Sequence, residues 1–127
     1  AYSESLAVAS PCTSWSGNGS DQSISTITAT LTNSGNADLL TLGGVCANVG
    51  SVNTNANYLS STRTFSNSTV AWTAATKTLT ITLGTASGSV NTGVSNAIPA
   101  YTPTVNITDV AGNTMNATAF NGTSSRF

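Results

Sequence analysis

The sequence predicts an all-β chain, a β-sandwich of about seven or more short strands with one disulfide. Three observations lead there. Apolar residues recur with a period of two, as they do in strands with one buried face. Turn-forming clusters separate these runs at short intervals: Ser16-Gly17-Asn18-Gly19-Ser20, Asn33-Ser34-Gly35-Asn36, Gly43-Gly44, Ser87-Gly88-Ser89 and Ala111-Gly112-Asn113. No window carries an apolar stripe at helical spacing, so helix is expected to be limited to a turn or two.

Taken in chain order, Tyr2, Leu6 and Val8 share one parity and form a short N-terminal strand, interrupted by Glu4. Ile27, Ala29 and Leu31 alternate with Thr26, Thr28, Thr30 and Thr32, and Leu79, Ile81 and Leu83 alternate with Thr78, Thr80 and Thr82. Threonine is β-branched and uncharged, which suits the outward positions of a strand. Val70 and Trp72 share a parity on another strand. Tyr101, Val105 and Ile107 are read as one strand entered through Pro99 and Pro103, and Ala117 and Ala119 as a weak alternation before Phe120. Leu39-Leu40-Thr41-Leu42 fits one helical turn or a short strand, and residues 49–61 fit a long loop or an irregular strand. The expected core is Trp72, Val70, Leu79, Ile81, Leu83, Tyr101, Val105 and Ile107, with Thr78, Thr80 and Thr82 facing outward. The organisation is one domain, 11–127, preceded by an N-terminal strand, 1–10.

Composition narrows the function. The chain has 127 residues, no histidine, and 6% charged residues against an ordinary share of about 25%. The acids are Glu4, Asp21, Asp38 and Asp109, and the bases are Arg63, Lys77 and Arg126. General acid–base catalysis needs neighbouring titratable groups, and a Ser or Cys nucleophile needs a base. The chain is therefore expected not to be an enzyme, with no catalytic residue and no cofactor. Two cysteines without histidine do not close a zinc site, so no metal is expected. A net charge of −1 offers no footprint for nucleic acid, and without an 18-residue apolar run no membrane insertion is expected.

Cys12 and Cys46 are too far apart for a CxxC redox motif and are expected to form one bridge in an oxidising compartment. The start, Ala1-Tyr2-Ser3-Glu4, looks like a mature N-terminus left by signal cleavage. Both features point to a secreted, extracellular or cell-surface protein.

The second half carries a resemblance. Trp72, then Thr78 to Gly84, then Pro99-Ala100-Tyr101-Thr102-Pro103, then Ile107-Thr108-Asp109-Val110-Ala111-Gly112-Asn113-Thr114-Met115 follow in order. Over residues 64–118 this resembles the bacterial Ig-like domains of S-layer and other large surface proteins. Its most specific part is Asp109–Asn113, a turn between closing strands. The resemblance implies an Ig-like β-sandwich with structural duty, and it supplies no catalytic residues.

Several sites are weighed on their chemistry. Asp109 and Asn113 offer oxygens to calcium, as does the stretch Asn18–Asp21. Calcium takes six to eight oxygens, usually with several carboxylates, so turn chemistry is the expected role. Lys77, the only lysine, is expected as a solvated turn residue rather than an isopeptide donor. Sequons at Asn18, Asn67, Asn106, Asn116 and Asn121 are candidate glycosylation sites, although a chain so rich in Ser and Thr produces about that many by chance. The two Thr rows would form a hydroxyl–methyl array for ice or crystalline glycan if their strands were neighbours.

Tyr2, Leu6 and Val8 are the expected subunit contacts. A short apolar strand before Ser10-Pro11 suits insertion into a neighbour's sheet. The expected function is a self-assembling structural subunit of a pilus-like filament or surface layer, with copies of itself as partners. The alternative is an adhesive module that binds glycan, or a host or abiotic surface.

Overall fold

A computed structural model describes residues 1–15 and 20–126. The strands are β1 (Gln22–Thr32), β2 (Leu39–Leu42), β3 (Ser51–Asn53), β4 (Arg63–Thr73), β5 (Thr78–Thr82), β6 (Thr85–Ala86), β7 (Ala100–Thr102) and β8 (Phe120–Asn121). A 3₁₀ segment, Gly44–Val49, is kinked at Cys46. The strands form one antiparallel, curled sheet in the order β5-β4-β1-β2-β3-β7-β8, with β6 also on β4. Leu39–Leu42 is thus a strand, and the irregular stretch 49–61 contains β3.

The long pair β1–β4 organises the sheet, and two β-bulges set its register. Between Ile24 and Ile27, β1 carries one residue more than β4; between Ser68 and Phe65, β4 carries one more than β1. The shifts cancel, so Gln22↔Trp72 and Leu31↔Arg63 lie in the same register. Each bulge holds a non-glycine residue at positive φ, Thr26 (63°) and Asn67 (56°). A bulge reverses the parity of side chains along its strand. Half-buried Ile24 therefore shares the inner face with buried Ile27, Ala29 and Leu31, and Phe65 shares it with Val70 and Trp72. Ser68, fully buried, donates its hydroxyl to the Phe65 carbonyl (2.9 Å) and accepts the Gly84 N–H (3.1 Å). Those two bonds satisfy a hydroxyl that would otherwise be costly to bury.

The core gathers residues from strands and loops alike: Trp15, Ile27, Leu31, Leu40, Val49, Leu59, Val70 and Trp72 among them. Leu79, Ile81, Leu83 and Tyr101 pack against it half-buried, Thr80 and Thr82 face solvent, and Thr78 is half-buried. Cys12 and Cys46 are bonded and fully buried, so the chain entering the domain is tied to the 3₁₀ segment after β2. Asp38 is buried as well. Its carboxylate accepts the N–H groups of Tyr58 (2.6 Å) and Ser34 (3.3 Å), and its main chain pairs with Ala56 and Thr54. This folds residues 54–59 inward and delivers Tyr58 and Leu59 to the core.

Three expectations are corrected. Tyr101, Val105 and Ile107 do not share a strand, because β7 stops before Pro103, which has no N–H to donate. The chain then turns, with Ile107 N–H on the Thr104 carbonyl, leaving Val105 59% exposed while Ile107 is buried. Ala117 and Ala119 are exposed and outside any strand. The N-terminal run is not a continuous strand either. It makes a single bridge, Leu6↔Asp109, and Ala9 sits at positive φ (57°).

A candidate assembly surface at the open seam of the sheet

The two end strands of the sheet, β5 and β8, line one groove of about 620 Å³. Its walls are neutral, built from Leu79 and Ile81 on β5, Val52 on β3, Tyr101 on β7, Phe120 on β8, and Met115. The chain's own first residues, Ala1–Ser3, also line it. The groove is the seam along which the curled sheet stays open.

Tyr2 seats the N-terminus there. Its ring meets Trp72 edge-on (5.8 Å between centroids, 61°) and Tyr101 (6.5 Å, 78°). Lys77 holds the same segment from both sides: its carbonyl accepts the Tyr2 N–H (2.7 Å), and its ammonium donates to the Ser3 carbonyl (2.7 Å). The lysine expected as a solvated turn residue does sit in a turn, and there it is also the clasp of the N-terminal segment. Burial pushes the phenols of Tyr2 and Tyr101 above the usual tyrosine range, Tyr101 the further, because ionising one beside the other adds charge repulsion.

Of the expected subunit contacts, Tyr2 is half-buried in the seam and Leu6 is buried in its own domain, while Val8 is 56% exposed. Ala7 N–H bonds the Thr108 carbonyl (2.9 Å), and Ser10 Oγ accepts the Thr108 N–H (2.5 Å). Residues 6–12 are thus fastened to the domain, and Ala1–Glu4 is the part that lies over its surface. Composition singled out Lys77 as the only lysine but not its place at the seam, since one lysine after a turn has no pattern that names its partner.

Asp109 closes the turn before Met115. Its carboxylate accepts the Asn113 N–H and side-chain amide, both at 2.8 Å, and Gly112 takes φ 87°, which a Cβ would disfavour. The Asn113 side chain first, then its N–H, hold the Asp109 carboxyl below the usual carboxylate range. Glu4, Asp109 and Asn113 line a second recess of about 380 Å³ beside the seam. Among the sequons, Asn67, Asn106, Asn116 and Asn121 are exposed, while Asn18 lies outside the described residues. Asn116 accepts both the N–H (3.0 Å) and the hydroxyl (2.7 Å) of Thr118. The Thr rows of β1 and β5 are not neighbours, because β4 runs between them. Thr64, Ser66 and Thr73 of β4 are exposed and extend the hydroxyl-bearing face.

No protein-family model, curated protein or solved structure matches the chain. Among the described residues, no helix is long and apolar enough to cross a membrane.

Proposed function

We propose that this chain is a non-enzymatic, extracellular structural subunit that self-assembles into a pilus-like filament or surface layer, with the N-terminal segment linking one copy to the next. The observation that carries the reading is the seating of Tyr2 in the seam between β5 and β8. Contacts made by a chain's first residues to its own groove are contacts that a neighbour's first residues form equally well, which is the economy of exchanged segments. The disulfide and the scarcity of ionisable groups support an extracellular, non-catalytic role. The resemblance over residues 64–118 supports an Ig-like sandwich of the kind used in surface layers. Full-length protein and a variant lacking residues 1–4 should be compared by electron microscopy and sedimentation. The full chain is expected to form polymers and the truncated chain to remain folded and form none. Equal assembly by both would remove the N-terminal segment as the link.

A second reading, an adhesive module for glycan or another surface, draws on the uncharged hydroxyl face, where Thr41, Thr30 and Thr64 stand in one row across β2, β1 and β4. Retention on insoluble polysaccharide, abolished by Thr30→Lys, would favour it.

A further inference from the structure

Among the described residues, the strand β5 has a strand neighbour, β4, on one side only. An edge of this kind is usually blunted by charge, proline or a bulge, yet Thr78-Leu79-Thr80-Ile81-Thr82 contains none of these. Leu79 and Ile81 lie on the inner face opposite Trp72 and Val70 and remain only half-buried. Thr80 and Thr82 point to solvent.

We infer that β5 pairs with β5 of a second copy, antiparallel about a two-fold axis through Thr80. The strand alternates hydroxyl and apolar residues symmetrically about Thr80, so this register sets Leu79 opposite Ile81 of the second copy on the inner face. It sets Thr78 opposite Thr82, and Thr80 opposite its own image, on the outer face. Each apolar side chain meets an apolar one and each threonine a threonine, pairs that stabilise antiparallel strands. Lys77 falls opposite Leu83 of the second copy, so no ammonium meets its image. A two-fold contact of this type is closed and self-complementary. It is distinct from a link through the N-terminus.

The test uses sedimentation equilibrium of the full chain. Below the concentration at which it polymerises, the wild type is expected to dimerise. Thr80→Lys and Thr80→Glu each place like charges face to face on the axis and should weaken dimerisation at least about fivefold, and mixing the two variants should restore it. Thr28→Lys, an exposed position on β1, should change nothing. Thr80→Cys should cross-link under oxidising conditions, whereas Thr82→Cys, which faces Thr78, should not. Removal of residues 1–4 should leave the dimer intact. A wild type that stays monomeric, a Thr80→Lys variant that dimerises unimpaired, or no rescue on mixing would overturn the inference. Loss of the dimer on removing residues 1–4 would move the contact to the N-terminus and overturn it too.

Discussion

The hydroxyls of Tyr2 and Tyr101 lie 2.9 Å apart, and their order of donation is fixed by a third group. Tyr101 spends its one hydrogen on the Val49 carbonyl (2.5 Å), so Tyr2 is the donor to Tyr101. The relay joins the N-terminus to β7 and to the end of the 3₁₀ segment. Tyr2→Phe keeps the ring on Trp72 and loses one hydrogen bond, so it should cost about 1 kcal/mol. Tyr2→Ala also removes the half-buried ring and should cost about 2–3 kcal/mol. Urea unfolding of the two variants separates the polar from the apolar part of the clasp.

The same pair makes the fold sensitive to alkali. An acid whose folded pKa is raised favours the neutral form in the fold. Its contribution is complete below the unfolded value, about 10, and is lost as pH rises toward the folded values. Phenolate absorbance should therefore show Tyr2 and Tyr101 ionising later in the folded protein than in urea. Tyr101 should be the last, and the unfolding midpoint should fall above pH about 10.

Reduction of Cys12–Cys46 frees a span of 34 residues. In the chain-entropy model the closed loop contributes about 3–4 kcal/mol. Denaturation with and without reductant should differ by that order, and the double variant Cys12→Ala/Cys46→Ala should match the reduced protein.

Much of this architecture was legible in the alternation of Ile27, Ala29 and Leu31 and of Leu79 and Ile81, because a half-buried strand repeats every two residues. The parts that were not legible depend on tertiary contacts. Trp15, Tyr58 and Leu59 are buried from loops, and Asp38 directs one of those loops inward through hydrogen bonds of its carboxylate and main chain that no local pattern announces. Val105 has the parity of a core residue but follows Pro103, where the ladder ends. The seam is invisible for a similar reason: Tyr2, Lys77 and Tyr101 are far apart in sequence and meet only once the sheet curls.

Asp109 gives a prediction at the other end of the pH scale. Its carboxyl is held low by Asn113, so its bonds are complete above the usual carboxylate range and are lost as pH falls through the lowered value. Asp109→Ala should leave the Asn113 amide without its acceptor at every pH. Protection of the Asn113 N–H, measured against its intrinsic exchange rate at each pH, is expected to be absent in that variant and in the wild type to be lost only under acid.

The two bulges predict where the sheet is least tolerant of a single methyl group. Gly84 lies over the bulge of β4, and a Cβ there would stand 2.0 Å from the Ser66 carbonyl oxygen and 2.7 Å from that of Asn67. Both neighbours are backbone, so neither rotates away, and the strain falls on the segment that joins β5 to β6. Gly84→Ala should destabilise the fold by about 1–3 kcal/mol. Ser68→Ala removes the acceptor of the Gly84 N–H and should cost a similar amount, about 1–3 kcal/mol, by leaving a polar group unpaired. Both act on one contact, so the double variant should lose less than the two singles added together. Asn67→Gly should be neutral or stabilising, since glycine takes the positive φ of the bulge without a Cβ penalty. Urea unfolding of the four variants checks this, and strict additivity of Gly84→Ala with Ser68→Ala would show that the bulge and the glycine are not one structural unit.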